Sequence, residues 1–61
     1  MKTRDLIRRI EEDGWQFHSQ RGSHRQYVHP IKPGRVTVPV HTGKDIHGGL
    51  LQSILKQAGL K

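Results

Sequence analysis

Apolar residues along this chain change their spacing from helical to alternating and back to helical. Leu6, Ile7 and Ile10 recur on one helix face, with charged residues between them. They predict a helix over about 3–13. Thr3 is placed to cap its start, Asp5 sits well in the first turn, and Gly14 supplies the stop. From Trp15 to Gln20 the period shortens to two. Trp15, Phe17 and Ser19 alternate with Gln16, His18 and Gln20, the pattern of a half-buried strand over 15–20. Arg21-Gly22-Ser23 reads as a turn. Residues 24–29 form a second strand with Tyr27 and Val28 as its apolar members. Pro30 to Gly34 is a loop, marked by two prolines and a glycine. Val36, Val38 and Val40 mark a third strand over 35–40. Pro39 cannot donate to a ladder, so this strand ends there or lies at a sheet edge. A polar link over 41–45 follows. Leu50, Leu51, Ile54, Leu55 and Ala58 then set out a second helix over about 47–58, closed by Gly59. Asp45 offers it a cap, whereas Gly48 and Gly49 weaken its first turn by ~1 kcal/mol each relative to alanine.

This order predicts an α+β fold: one domain over 1–61, with both helices on one face of a three-stranded antiparallel sheet. Neither apolar stripe has another partner. Trp15, Phe17, Val36, Val38 and Val40 are then expected to face the helices. His18, Gln20, Arg35 and Thr37 are expected on the open face. Trp15 and Phe17 are assigned to the core. Tyr27 is placed there too, although an aromatic ring can also stack on a base.

Charge adds the first functional signal. The chain has 11 Lys and Arg against 5 Asp and Glu, a net charge of +6. Four of the five acids lie in the first 13 residues, and none lies between Asp13 and Asp45. The acid-free stretch is the sheet region, so basic charge gathers on the open face. A one-signed surface attracts a polyanion through its long-range field and by counterion release. Nucleic acid is the expected partner class. Cysteine is absent, which removes disulfides and thiolate sites and fits a reducing compartment. No apolar run approaches the ~20 residues of a membrane helix. The first 12 residues carry charge where a signal peptide needs its apolar segment. A soluble, cytoplasmic protein with no membrane association is expected.

The residue types narrow the chemistry. Two-metal phosphodiester cleavage needs several oxygen ligands, and the sheet region offers no carboxylate. No glycine-rich phosphate motif appears; Gly48-Gly49 lacks the Lys and Ser or Thr that would follow. The five histidines admit three readings: zinc ligands, surface residues, or acid–base groups. Zinc is disfavoured because no pair has the i, i+4 helical spacing of a ligand pair. No metal and no cofactor are therefore expected. His18, His29, His41 and His47, taken singly, default to the surface. Acid–base chemistry suits an imidazole, whose reference pKa is ~6.5. RNA can be cleaved without metal when a base activates the 2′-hydroxyl, cations stabilise the phosphate, and an acid protonates the leaving oxygen. DNA, lacking the 2′-hydroxyl, is not cut in this way. His24 has the most suggestive setting. It opens a strand, follows a glycine turn whose amides can approach a phosphate, and lies between Arg21 and Arg25.

The Gly14-Trp15 helix exit, Gly22-Ser23-His24, Tyr27, Val38-Pro39-Val40-His41 and the ending Ile54-Leu55-Lys56-Gln57-Ala58-Gly59-Leu60 resemble the HicA toxins. The resemblance runs through nearly the whole chain in order. It implies a fold like that of double-stranded-RNA-binding domains, an mRNA-cleaving activity, and neutralisation by a HicB antitoxin. It implies that His24 is the catalytic histidine and that Gly22 and Ser23 form its turn. One departure is Gly48-Gly49-Leu50, where members often have Gly-Thr-Leu. The missing threonine removes a helix cap. Arg21, Gly22, Ser23, Arg25 and Lys44 are the candidate RNA contacts. His41 is a candidate second proton-transfer group, equally well read as a surface residue. Two rival readings stand beside this one: a non-catalytic RNA-binding module and a basic ribosome-associated protein. The first is weakened by Lys44-Asp45-Ile46-His47, which has one lysine and an acid where such modules carry a lysine cluster. The second lacks the long basic tails usual in such proteins.

Overall fold

The computed structural model describes residues 1–40 and 45–61. Helix α1 (Thr3–Glu12) is followed by strands β1 (Gln16–Arg21), β2 (His24–Val28) and β3 (Val36–Pro39), then helix α2 (Gly48–Gln57). The strands form one antiparallel sheet in the order β1-β2-β3, so β2 is paired on both sides. The expected α+β arrangement is the one observed. Pro39 lies on an outer strand, where its missing N–H costs little.

Both helices end in the same way. Gly14 has φ +112°, its N–H bonds the Glu11 carbonyl at 3.0 Å, and the Trp15 N–H bonds the Ile10 carbonyl at 3.1 Å. Gly59 repeats the pattern, with φ +70° and Leu60 donating to Leu55 at 2.8 Å. These are Schellman closures, in which a left-handed residue lets two amides satisfy the last free carbonyls. A β-carbon at Gly14 would lie 2.6 Å from His29 Nε2, in a backbone conformation that L-residues rarely adopt. Gly14→Ala is therefore expected to cost about 2 kcal/mol or more of stability, measured by urea denaturation. An unchanged midpoint would refute this reading of the helix exit.

The helix starts differ from expectation. Lys2, not Thr3, occupies the N-cap of α1, with no side-chain capping hydrogen bond. Residue 2 is fixed there by an antiparallel bridge to Asp45. The amide of Ile46 donates to the Met1 carbonyl at 2.8 Å beside it. Asp45 is thereby engaged in the bridge rather than capping α2, whose N-cap is His47, again without a side-chain bond.

The core consists of Leu6 and Ile10 from α1, Trp15, Tyr27, Val36 and Val38 from the sheet region, and Ile46, Ile54 and Ala58 from the C-terminal part. The Trp15 indole N–H donates to the Ala58 carbonyl at 3.1 Å, joining the exit of α1 to the end of α2. Val40 is only half-buried. Phe17 contradicts the expectation of burial: it is 55% exposed. The cause is its place on an outer strand, just before a register shift. Phe17 pairs with Tyr27, but Ser19 pairs with Gln26, leaving His18 as the extra residue of a bulge. Phe17 keeps to the helix side of the sheet, yet it sits on the outer strand, and its ring reaches only the edge of Tyr27.

His29 also departs from its expected surface position, its side chain being 7% exposed. Its Nδ1 accepts from the backbone N–H groups of Ile31 and Lys32, each at 3.0 Å. Nδ1 therefore carries no proton, and Nε2–H donates to the Asp13 carbonyl at 2.8 Å. The ring packs edge-on against Trp15 with centroids 5.2 Å apart. Lys32 completes this clasp, its ammonium 2.5 Å from Asp13 Oδ2 and 3.1 Å from the Ala58 carbonyl. The hydrogen bond from Lys32 holds the Asp13 carboxyl below its usual 3.8; burial opposes this, and the charge of Lys32 adds to the lowering. A carboxyl whose folded pKa lies below its unfolded value stabilises the fold above the unfolded pKa. That contribution is lost as pH falls through the lowered folded value. Asp13→Asn should therefore flatten the acid limb of the melting-temperature profile below 3.8. Parallel acid limbs for the two proteins would contradict the clasp.

Candidate functional site

The β1–β2 hairpin carries most of the candidate residues. Its turn is Gly22-Ser23, one residue shorter than expected, since Arg21 is already the last residue of β1. Gly22 has φ +55°, and among the described residues no non-glycine residue has positive φ, the pattern of a type II′ turn. A β-carbon at Gly22 would meet nothing within 4 Å, so glycine is needed here for backbone shape rather than for room. The turn is braced from both sides. The Gln20 amide donates to the Gly22 carbonyl at 2.8 Å. The Val40 N–H donates to the Ser23 carbonyl at 2.6 Å.

Residues paired across an antiparallel ladder share a sheet face. Arg21 pairs with His24, His24 with Pro39, Ser19 with Gln26, and Gln26 with Thr37. These residues form the open face, opposite the one that buries Tyr27, Val36 and Val38. His24 and Arg21 are both exposed there, directly across one rung. The Thr37 hydroxyl bonds the Gln26 side-chain carbonyl at 2.9 Å and ties β3 to β2 on the same face.

The bulge decides which residues reach this face. Without it, Gln20 would lie on the open face and Ser19 would turn inward, as the plain alternation suggests. The extra residue at His18 inverts everything after it, because strand period is two. Ser19 and Arg21 come to the open face. Gln20 moves to the helix side, opposite Arg25.

The structure therefore brings Arg21, Gly22, Ser23 and His24 together and separates Arg25 from them. Arg25 lies on the other face, its Nε–H donating to Gln20 Oε1 at 3.1 Å and its guanidinium 6.0 Å from the Phe17 ring centre. Arg35 precedes β3 rather than belonging to it, and it is exposed. His18 and His47 are exposed, as expected for surface residues. His41 and Lys44 lie outside the described residues. Gln26, which was not singled out from sequence, joins the open face. Its only sequence signal is that it stands two residues from His24 on the same strand.

The open face has a definite chemistry. An exposed imidazole is fixed on the central strand, with a guanidinium across the rung and a glycine turn one residue away. No carboxylate occurs in the sequence between Asp13 and Asp45 to repel an anion or compete with it for these groups. Such a face can hold a phosphodiester and exchange a proton with it. Among the described residues, no three His, Asp or Glu side chains come together to hold a metal. Among them, too, no helix is long and apolar enough to cross a membrane.

A family model described as the HicA toxin of bacterial toxin–antitoxin systems matches residues 3–60. No curated protein matches the chain.

Proposed function

The chain belongs to the HicA family, the toxins of bacterial toxin–antitoxin systems, and from that footing we propose that it is a metal-independent endoribonuclease that cleaves mRNA with His24 as its proton-transfer group. The observation that carries this reading is the pairing of exposed His24 with exposed Arg21 beside the Gly22-Ser23 turn, within an acid-free stretch.

The proposed reaction is transesterification. A base takes the proton of the 2′-hydroxyl, and that oxygen attacks the adjacent phosphorus. The bond to the 5′-oxygen breaks, and an acid returns a proton to the leaving oxygen. The products are a 2′,3′-cyclic phosphate and a 5′-hydroxyl end. His24 serves as base or acid. Arg21 and the amides of the Gly22-Ser23 turn stabilise the charge on the phosphate. His41 is the candidate for the second proton transfer, and Lys44 for a further phosphate contact. Translation is blocked through loss of the message.

The toxin's partner is an antitoxin, which we propose to be of the HicB type. An acidic surface covering Arg21 and His24 would neutralise the basic face and bury the proton-transfer group. Such binding weakens as salt is raised.

The test is cleavage of an RNA oligonucleotide and of the same strand with a single 2′-deoxy sugar at a cleaved position. Loss of that one cut, with the others retained, is expected. Equal cutting at the deoxy position rules out attack by the 2′-hydroxyl. Tight binding of both strands with no products assigns the chain to the non-catalytic RNA-binding class.

A further inference from the structure

Phe17 is the one aromatic ring of the sheet that the core leaves in solvent. It is 55% exposed, whereas Trp15 and Tyr27 are each 1% exposed. Its setting is ordered. Tyr27 meets it edge-on, with centroids 6.2 Å apart and planes at 82°. The Arg25 guanidinium stands over the ring at 6.0 Å from its centre and is itself held by Gln20. Gln20 in turn is anchored on the Gly22 carbonyl, within the turn that precedes His24. A line of contacts thus runs from the ring through Arg25 and Gln20 to the hairpin tip, its last two links hydrogen bonds.

Building on the reading of His24 as the cleavage centre, we propose that Phe17 and Arg25 form a base-stacking platform for single-stranded RNA beside the cleaved bond. Three observations favour RNA over a protein partner at this spot. The ring stands at the rim of the core with polar residues around it: Gln16 and His18 flank it along β1 and are exposed, its partner across the sheet is the buried Tyr27, and the Arg25 guanidinium stands over it, held by Gln20. Protein interfaces place their aromatic anchors within an apolar core. Second, an arginine beside an open ring provides charge for a phosphate and a plane for a base, the pairing found where single strands bind without a base code. Third, the surrounding chain is free of acids from residue 14 to residue 44.

The topology makes the reach short. Phe17 and Arg21 are four residues apart on β1, about 13 Å at ~3.3 Å per residue. Arg25 adjoins His24 in the chain, with its side chain on the other face. β1 is an outer strand, so a nucleic-acid strand crossing its free edge passes from His24 to Phe17 within a few nucleotides. The platform thus holds the flanking base while His24 and Arg21 engage the phosphate. It tolerates any base, because every base has a face to stack.

The test uses His24→Ala protein, which binds without cutting, and short single-stranded RNAs carrying 2-aminopurine at successive positions. Quenching of 2-aminopurine at one or two positions, lost in the His24→Ala/Phe17→Leu protein, is expected. Affinity should fall roughly 5- to 150-fold with leucine and be retained with Phe17→Trp. The salt dependence should not change, because no charge is removed. Circular dichroism confirms folding, and Leu at this exposed position leaves the core intact. Equal affinity and quenching in the Phe17→Leu protein would overturn the platform while leaving the cleavage reading in place. Failure of every form to bind RNA would overturn both. If the substitution spares RNA binding and weakens the complex with the antitoxin instead, the ring is a protein contact and the proposal fails.

Discussion

Replacing His24 with alanine is expected to lower the rate of RNA cleavage roughly 100- to 10,000-fold, the range for loss of a positioned acid–base group. The side chain is exposed on the open face, and nothing in the core rests on it. The change in stability should therefore stay within about 0.5 kcal/mol. The backbone of residue 24 would remain paired with Arg21 and Pro39. RNA affinity should fall much less than the rate, because Arg21 and the turn amides remain. Equal rates for the two proteins would move the search for the proton-transfer group to His41. A large fall in melting temperature would mean that the lost activity reports unfolding.

Trp15→Ala is expected to have the largest effect on stability. Trp15 is among the largest fully buried side chains, packed in a core of nine buried hydrophobic residues. Truncating a buried tryptophan costs about 3–5 kcal/mol. A domain of this length has only about 3–9 kcal/mol to lose, at ~0.05–0.15 kcal/mol per residue. The substitution also removes the indole hydrogen bond to Ala58 and the edge contact with His29. Ellipticity at 222 nm in urea should show a substantially unfolded population even without denaturant. Trp15→Phe keeps a ring in the core and should retain the fold at a smaller cost. A cooperative transition for Trp15→Ala at the parent midpoint would contradict the assignment of the core.

The two substitutions are expected to act for different reasons, one on the proposed chemistry and one on the fold, and that separation follows from the two faces of the sheet. The apolar side of the sheet supplies stability through Tyr27, Val36 and Val38, whereas the open side presents Arg21 and His24, the groups proposed for the chemistry. Strand geometry alone keeps the two apart.

The same geometry explains what could be read in advance. Leu6 and Ile10, then Val36 and Val38, lie at helical and strand periods set by local backbone geometry, and each is buried. Gly14 and Gly59 read as stops because few other residues adopt the left-handed conformation their turns require. His24 stood out because a glycine turn and two arginines surround it in the sequence. What alternation cannot show is a bulge. It depends on which residues of β2 oppose β1, a contact between strands rather than a property of either. That one extra residue sends Gln20 to the helix side and brings Ser19 outward. Sequence proximity groups Arg25 with His24, although neighbours on a strand face opposite ways. The burial of His29 is hidden from the sequence for a related reason. Its bonds to Ile31 and Lys32 are local, but its burial comes from Trp15 and Asp13, fourteen and sixteen residues earlier.

The most direct measurement is the mass of the RNA ends produced in excess chelator by the wild-type protein and by His24→Ala, at matched folding. The account predicts 2′,3′-cyclic phosphate and 5′-hydroxyl ends from the wild-type protein, and almost none from the variant. Cleavage by both proteins at the same rate, or by the wild type only after a divalent metal is restored, would contradict it.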